Sequence, residues 1–185
     1  MIAIKISGRG GQGAVLASQI LASIFFENGM FVQSFPSFGA ERRGAPVSAF
    51  VRTDSTPITL RCGILHADWL VLFEPNLLEN QVAMSGTTHT TSLVVNSAVL
   101  PEPLKYAKYE HIFIVDGTAI ARKMNLTTTS FPIVNTAMVG AFAKVSSLID
   151  LESIDKAIRN TVPFKKEENA AVAIEAYKKV KELFR

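Results

Sequence analysis

The stretch Lys5-Ile6-Ser7-Gly8-Arg9-Gly10-Gly11-Gln12-Gly13-Ala14-Val15 constrains the fold of this chain more than any other. An apolar run over residues 2–6 precedes it, short enough for a buried strand. Helix formers follow over residues 14–28, and Gly29 is a natural stop just past the helix end. Strand, glycine turn and helix in that order place backbone N–H groups and the positive end of a helix at one point. Glycine supplies the φ > 0 conformations and the close backbone approach that such a turn needs.

Read literally, Gly8, Gly10 and Gly13 spell G-x-G-x-x-G, the dinucleotide fingerprint. An NAD site also requires an acid about 20 residues further on, for the ribose hydroxyls. Gln33 and Ser34 occupy that position, and Glu27 falls too early, inside the helix. The next residues, Phe35-Pro36-Ser37-Phe38, supply no arginine for NADP either. Two readings stay open on the residues alone: a seat for some phosphate-bearing ligand, with Arg9 adding charge, or a corner that serves packing.

The rest of the chain alternates short apolar strands with helices. Strands are expected at residues 30–34, 47–52, 67–74, 92–96 and 111–117, with Pro75 opening a short helix that runs to Met84. After Phe131 the chain turns helical. Asn135 is placed to cap one helix, a second starts near Leu151 and contains Ser153, and the last runs from about Pro163. In that last helix Ala170, Ala173, Tyr177, Val180 and Phe184 form one apolar stripe. We expect one domain over residues 1–185: an α/β, three-layer αβα sandwich with a mostly parallel, Rossmann-like sheet. In the helix over residues 14–27, only Ser18, Gln19, Ser23 and Glu27 are polar. Its outer side therefore needs cover, from a partner subunit or from the domain's own C-terminal elements.

A second cluster, Gly39-Ala40-Glu41-Arg42-Arg43-Gly44-Ala45-Pro46, lies in the loop after the second strand. Adjacent arginines suit forked bonds to phosphate or carboxylate oxygens. Glu41 pairing with one of them, in a simple rim loop, is the competing reading. Loops at the carboxyl ends of neighbouring strands meet at the ligand crevice of a doubly wound sheet, so the two clusters are expected to face each other.

Charge and cysteine content narrow the function classes. The net charge of +3 is mild, with no Lys/Arg tract interleaved with aromatics, so no nucleic-acid partner is expected. Charged residues make up 19% of the chain and mean hydropathy is positive, so some apolar surface needs a partner chain. No membrane span and no secretory leader pattern is visible, and we expect a cytoplasmic protein. Cys62 stands alone, which excludes an internal disulfide and any iron–sulfur cluster held by this chain. His66, His89 and His111 show no metal-ligand spacing, so no metal site is expected. Asp116 reads as a helix cap. No nucleophile, base and orienting group assemble, so no catalytic residue is assigned.

Taken together, GRGGQGAVLASQILA followed by SFPSFGAERRGAPVSAFVR closely resembles the gamma subunit of 2-oxoacid:ferredoxin oxidoreductases of the pyruvate synthase type. The downstream DWLVLFEPNLL, DGTAIA and NTAMVGAFAK segments fit as well, so the resemblance spans almost the whole chain. It implies a non-autonomous oxidoreductase subunit. Its complex cleaves a 2-oxoacid, pyruvate first, on thiamine diphosphate and passes electrons through [4Fe–4S] clusters to ferredoxin. Coenzyme A takes the acyl group. The resemblance further implies that thiamine diphosphate and the clusters sit on partner subunits of alpha, beta and delta type, and that this chain alone holds no cofactor. It places Gly8, Arg9, Gly10, Gly11, Gln12 and Gly13 in an anion-binding turn and makes Arg42 and Arg43, oriented by Glu41, candidates for the coenzyme A phosphates. The rival readings are a stand-alone nucleotide- or coenzyme A-binding protein and a free-standing NADP reductase.

Overall fold

A computed structural model describes residues 1–37, 46–100, 102–128 and 131–183. Its centre is a seven-stranded sheet in the order β2-β3-β1-β4-β5-β6-β7. The strands are β1 (Ile2–Arg9), β2 (Phe31–Ser37), β3 (Pro46–Asp54), β4 (Trp69–Leu72), β5 (Ser92–Asn96), β6 (Ile112–Val115) and β7 (Lys181–Glu182). The helices are α1 (Ala14–Glu27), α2 (Gln81–Met84), α3 (Gly117–Lys123), α4 (Asn135–Ser146), α5 (Leu151–Thr161) and α6 (Lys166–Lys179).

The four strands β1, β4, β5 and β6 are mutually parallel, in line with an α/β sheet whose core is parallel. Two strands depart from that direction. Strand β3 runs antiparallel to both β2 and β1 and inserts between them. The connection over residues 38–45 is too short for a parallel crossover, which takes a dozen residues or more, so β3 has to fold back. Strand β7, only two residues long and absent from the sequence reading, closes the other edge antiparallel to β6.

From β1 the chain moves through α1 to β2, toward one edge, with α1 on the first face. From β4 it moves toward the other edge, and the connections to β5 and β6 lie on the second face. Right-handed crossovers in opposite directions require opposite faces. The reversal falls between the adjacent strands β1 and β4, which makes their carboxyl ends the switch point of the sheet.

The two faces are covered unequally. On the first, Ile4, Ile6, Val51, Val71 and Val94 pack under α1, α4, α5 and α6. Helix α1 lies against α4 and α5, so its apolar girth is covered by the chain's own C-terminal elements, although Phe26 at its end stays exposed. On the second face the strands β4 to β6 bury Leu70, Leu72, Leu93 and Val95 under short 3-10 turns and α2. The half under β2, β3 and β1 is covered more thinly, by the end of α2 and the loop over residues 58–63. It carries Gln33, Phe35, Phe50, Arg52 and Lys5, the alternate residues of those strands.

Lys5 is 3% exposed. Its Nζ donates to the carbonyl oxygens of Val82 and Ser85, both at 2.9 Å, and to Ser85 Oγ at 3.0 Å. It thereby caps the C-terminal end of α2, where a cation is favoured. Burial pushes its ammonium down to about 8 from an ordinary value of 10.5.

Two predictions follow from the packing. A Cβ on Gly140 would fall inside the van der Waals envelope of the Ala173 carbonyl oxygen, because α4 and α6 touch backbone to backbone there. Gly140→Ala should therefore destabilise the chain by about 1–3 kcal/mol or more, read as a lower denaturant midpoint at unchanged slope. The second concerns pH. Below pH 8 Lys5 is charged in both folded and unfolded chains, and its desolvation cost is felt in full. Between pH 8 and 10.5 the unfolded chain binds more protons, so stability should rise with pH. Lys5→Met should lose that rise, which urea unfolding at pH 7.5 and 10 compares directly.

Candidate functional site

The glycine turn joins the end of β1 to α1 at the switch point. Gly11 and Gly13 have φ of +91° and +83°, so both need glycine or strain. A Cβ on Gly13 would also lie 2.5 Å from Asn135 Nδ2, and one on Gly8 would lie 3.0 Å from Phe73 Cδ2. Gly10 differs from these. Its backbone is not left-handed, and an added Cβ would meet only Val47 Cγ2 at 3.9 Å. The literal G-x-G-x-x-G reading thus picks Gly10, while the conformational demand falls on Gly11.

The side chains of the turn bond to one another. The Gln12 Oε1 accepts the Arg9 N–H at 2.7 Å, and the Gln12 backbone N–H donates to the Arg9 carbonyl at 3.1 Å. Gln12 Nε2 then donates to Glu74 Oε1 at 2.6 Å, and Arg9 Nε meets Glu74 Oε2 at 2.7 Å. Glu74 stands at the carboxyl end of β4, directly beside β1, where the Phe73 N–H donates to the Ser7 carbonyl. It is the functional-site residue the sequence reading missed. Only the parallel β1–β4 pairing brings it, 65 positions on from Arg9, to the mouth of the turn.

Two helix N-termini converge here. Gly13 precedes α1 and contributes no side-chain cap; among the described residues the N–H groups of Ala14, Val15 and Leu16 find no acceptor. Asn135 packs on Gly13 as the first residue of α4, one place later than a cap, and its Oδ1 accepts the Thr136 N–H at 2.8 Å. Phe131 reaches over the turn, its Cζ 3.5 Å from where a Cβ of Gly11 would be. The heads of α1 and α4 meet at Gly13, and Glu74 sets a carboxylate on Arg9 and Gln12 of the same turn.

Arg42, Arg43 and Glu41 lie outside the described residues. Their flanks do not. The chain leaves the description at Ser37 and re-enters at Pro46, and Pro46 pairs in register with Arg9, the last residue before the turn. Asp116 is a cap as read, its Oδ1 accepting the Ala119 N–H at 2.8 Å. A separate recess of about 330 Å³ opens beyond β5 and β6, between α3 and α6, with Lys123, Lys179 and Lys181 on its rim. Among the described residues no group of His, Cys, Asp and Glu is placed to hold a metal ion, and no helix is long and apolar enough to cross a membrane.

Comparison with known proteins gives a consistent picture. The model of the pyruvate ferredoxin/flavodoxin oxidoreductase family matches residues 3–179. The chain is 46% identical over 178 residues to pyruvate synthase subunit PorC of Methanocaldococcus jannaschii, covering 96% of each chain. It is 42% identical over 183 residues to the pyruvate/ketoisovalerate oxidoreductases common subunit gamma of Pyrococcus furiosus, covering 97% of each. The crystal structure of pyruvate oxidoreductase subunit PORC from Thermotoga maritima superposes with a TM-score of 0.80 at 31% identity, covering 98% of both chains.

The turn geometry predicts a graded response to added methyl groups. Gly13→Ala combines a left-handed backbone with a collision on Asn135 and should destabilise most, by about 2 kcal/mol or more. Gly11→Ala should cost about 1–2 kcal/mol from conformation alone. Gly10→Ala should fall within about 0.5 kcal/mol of the parent. Thermal unfolding of the three variants checks the order.

Proposed function

The chain belongs to the pyruvate ferredoxin/flavodoxin oxidoreductase family, and from that premise we propose that it is the gamma subunit of a 2-oxoacid:ferredoxin oxidoreductase that uses pyruvate. The observation that carries this reading is full-length likeness to pyruvate synthase and pyruvate/ketoisovalerate oxidoreductase subunits, 96–97% of each chain in both directions. Such a subunit works only inside a multi-subunit complex. The companions are alpha, beta and delta-type subunits, and ferredoxin takes the electrons. An exposed, unpaired Cys62 suits a reducing cytoplasm.

The donor set of this chain does not fit the redox cofactors. One cysteine cannot ligate an iron–sulfur cluster. Thiamine diphosphate and the clusters belong to the companions. What suits this chain is recognition of the acyl acceptor, coenzyme A, through its phosphates. Gly8, Arg9, Gly10, Gly11, Gln12 and Gly13 form the turn. Free amides at the head of α1 and the nearby head of α4 favour an anion there.

Arg9 by itself adds little, because Glu74 neutralises it at 2.7 Å. Net attraction for phosphate then comes from Arg42 and Arg43, on the segment bounded by Ser37 and Pro46 at the same end of the sheet. The role of the chain is to hold and orient coenzyme A while the chemistry proceeds on another polypeptide.

Purification of the native protein is the first test: it should arrive with its companion subunits, and an isolated, soluble monomer would overturn the reading. In the assembled complex, changing Arg42 and Arg43 together to Ala should raise KM for coenzyme A about tenfold or more, with kcat at saturation little changed. An unchanged KM removes them from the site. Glu74→Gln should act oppositely, lowering that KM by about threefold to tenfold, because the partly exposed Arg9 charge becomes available.

A further inference from the structure

The thinly covered half of the second sheet face is an unusual surface. A groove of about 940 Å³ runs along the edge strand β2, floored by Phe35 and Phe50 and walled by the loop over residues 60–64. The two rings stack with centroids 5.5 Å apart. The groove wall is fastened from beneath: Gln33 Nε2 donates to the Leu60 carbonyl at 3.1 Å, and Arg52 Nη2 donates to the Cys62 carbonyl at 3.1 Å.

The charges on this face are one-sided. Arg52 is 3% exposed, yet its partners are neutral: Gln33 Oε1 at 2.9 Å, two backbone carbonyls and the Phe35 ring. Lys5, also buried, is held by carbonyls and a hydroxyl and lies 5.9 Å from the Phe50 ring centroid. None of the ion pairs among the described residues includes either cation. Among the described residues no acidic side chain lines the groove, and exposed Arg61 stands on its wall. Buried charges are ordinarily paired. Arg52, tied to the groove wall, and Lys5, behind the Phe50 ring, are not, and together with Arg61 they bias this side of the sheet toward an incoming carboxylate.

The apolar residues of the same face are equally unanswered. Leu65 is 76% exposed, Val82 63% and Leu60 43%. Val82 is joined to the β1 side of this face through Lys5, and the Leu65 backbone passes close to Gly86, one residue after Ser85, which Lys5 also bonds. An α/β sheet with a parallel core is normally covered on both faces.

We propose that this groove is the docking surface for a carboxylate-bearing segment of a companion subunit of the same oxidoreductase complex. The segment sets its acid on Arg61, above Arg52, and its apolar residues on Leu60, Leu65 and Val82. The companion adds cover along the edge strand β2 and over Phe50. The inference rests on the subunit reading above and adds to it the face used and the chemistry of the partner.

Cys62, the chain's single cysteine, lines the groove and is exposed, so it reports on the surface without mutation. Alkylation by N-ethylmaleimide, followed at the Cys62 peptide by mass spectrometry, is to be compared between the isolated full-length chain and the purified complex. We expect at least a tenfold slowing in the complex; rates within twofold overturn the proposal. In a complex carrying Arg61→Lys, a zero-length carbodiimide cross-link should join position 61 to an Asp or Glu of a companion. A link to a second copy of this chain, or no link in an intact complex, rejects the stated occupant. If the chain never co-purifies with companions, the subunit reading itself fails and takes this proposal with it. If the complex forms and Cys62 stays reactive, only the groove assignment falls.

Discussion

Strand β1 is hydrogen-bonded on both flanks, antiparallel to β3 and parallel to β4, and those two registers govern where every functional group lies. The β4 pairing carries Glu74 to the end of β1, where it meets Arg9 and Gln12. The β3 pairing sets Pro46 opposite Arg9, so the arginine-bearing segment rejoins the sheet beside the glycine turn. Because side chains alternate along a strand, the same registers also separate Ile4 and Ile6, buried under helices, from Lys5 and Ser7 on the other face. A slip of one residue in β1 would exchange those sets and dismantle both the core and the turn.

The second face shows how a subunit differs from a self-sufficient α/β protein. Strands β4 to β6 complete their own core with short turns and α2, while β2, β3 and β1 present stacked rings and buried cations to a groove. Polar side chains satisfied by backbone carbonyls keep that surface folded without an added layer. The glycine turn follows similar logic: Glu74 offsets the charge of Arg9 where two helix N-termini come together. In both places charge is held by partners within the chain itself.

Legibility in the sequence followed the range of the interactions. The strand–turn–helix at residues 2–27, the Asp116 cap and the start of α5 near Leu151 were legible because local propensity and capping decide them. The insertion of β3 between β2 and β1 was not, because strands expected at residues 30–34 and 47–52 leave room for a crossover that the observed bounds, Phe31–Ser37 and Pro46–Asp54, remove. Gly10 and Gly11 stood on equal terms in the sequence, and only the structure separates them, since φ is set by how the turn closes on Phe131 and Asn135. Glu74 had no local signal at all. Its role exists only through a parallel pairing across 65 positions, and β7 likewise needs the returning α6 to deliver two residues to β6.

The sequence alone determined the α/β class, the glycine turn at the head of the first helix, the family likeness and the lack of thiolates for a cluster. These depend on residue identity and short-range order, which a linear chain states openly. Tertiary structure decided which strands are neighbours, that the glycine turn meets the Glu74 carboxylate, that the chain's own C-terminal helices cover α1, and that Lys5 and Arg52 are buried without an ion-pair partner among the described residues. Each of these is a meeting of distant segments, fixed by hydrogen-bond register and by which side of the sheet each crossover takes.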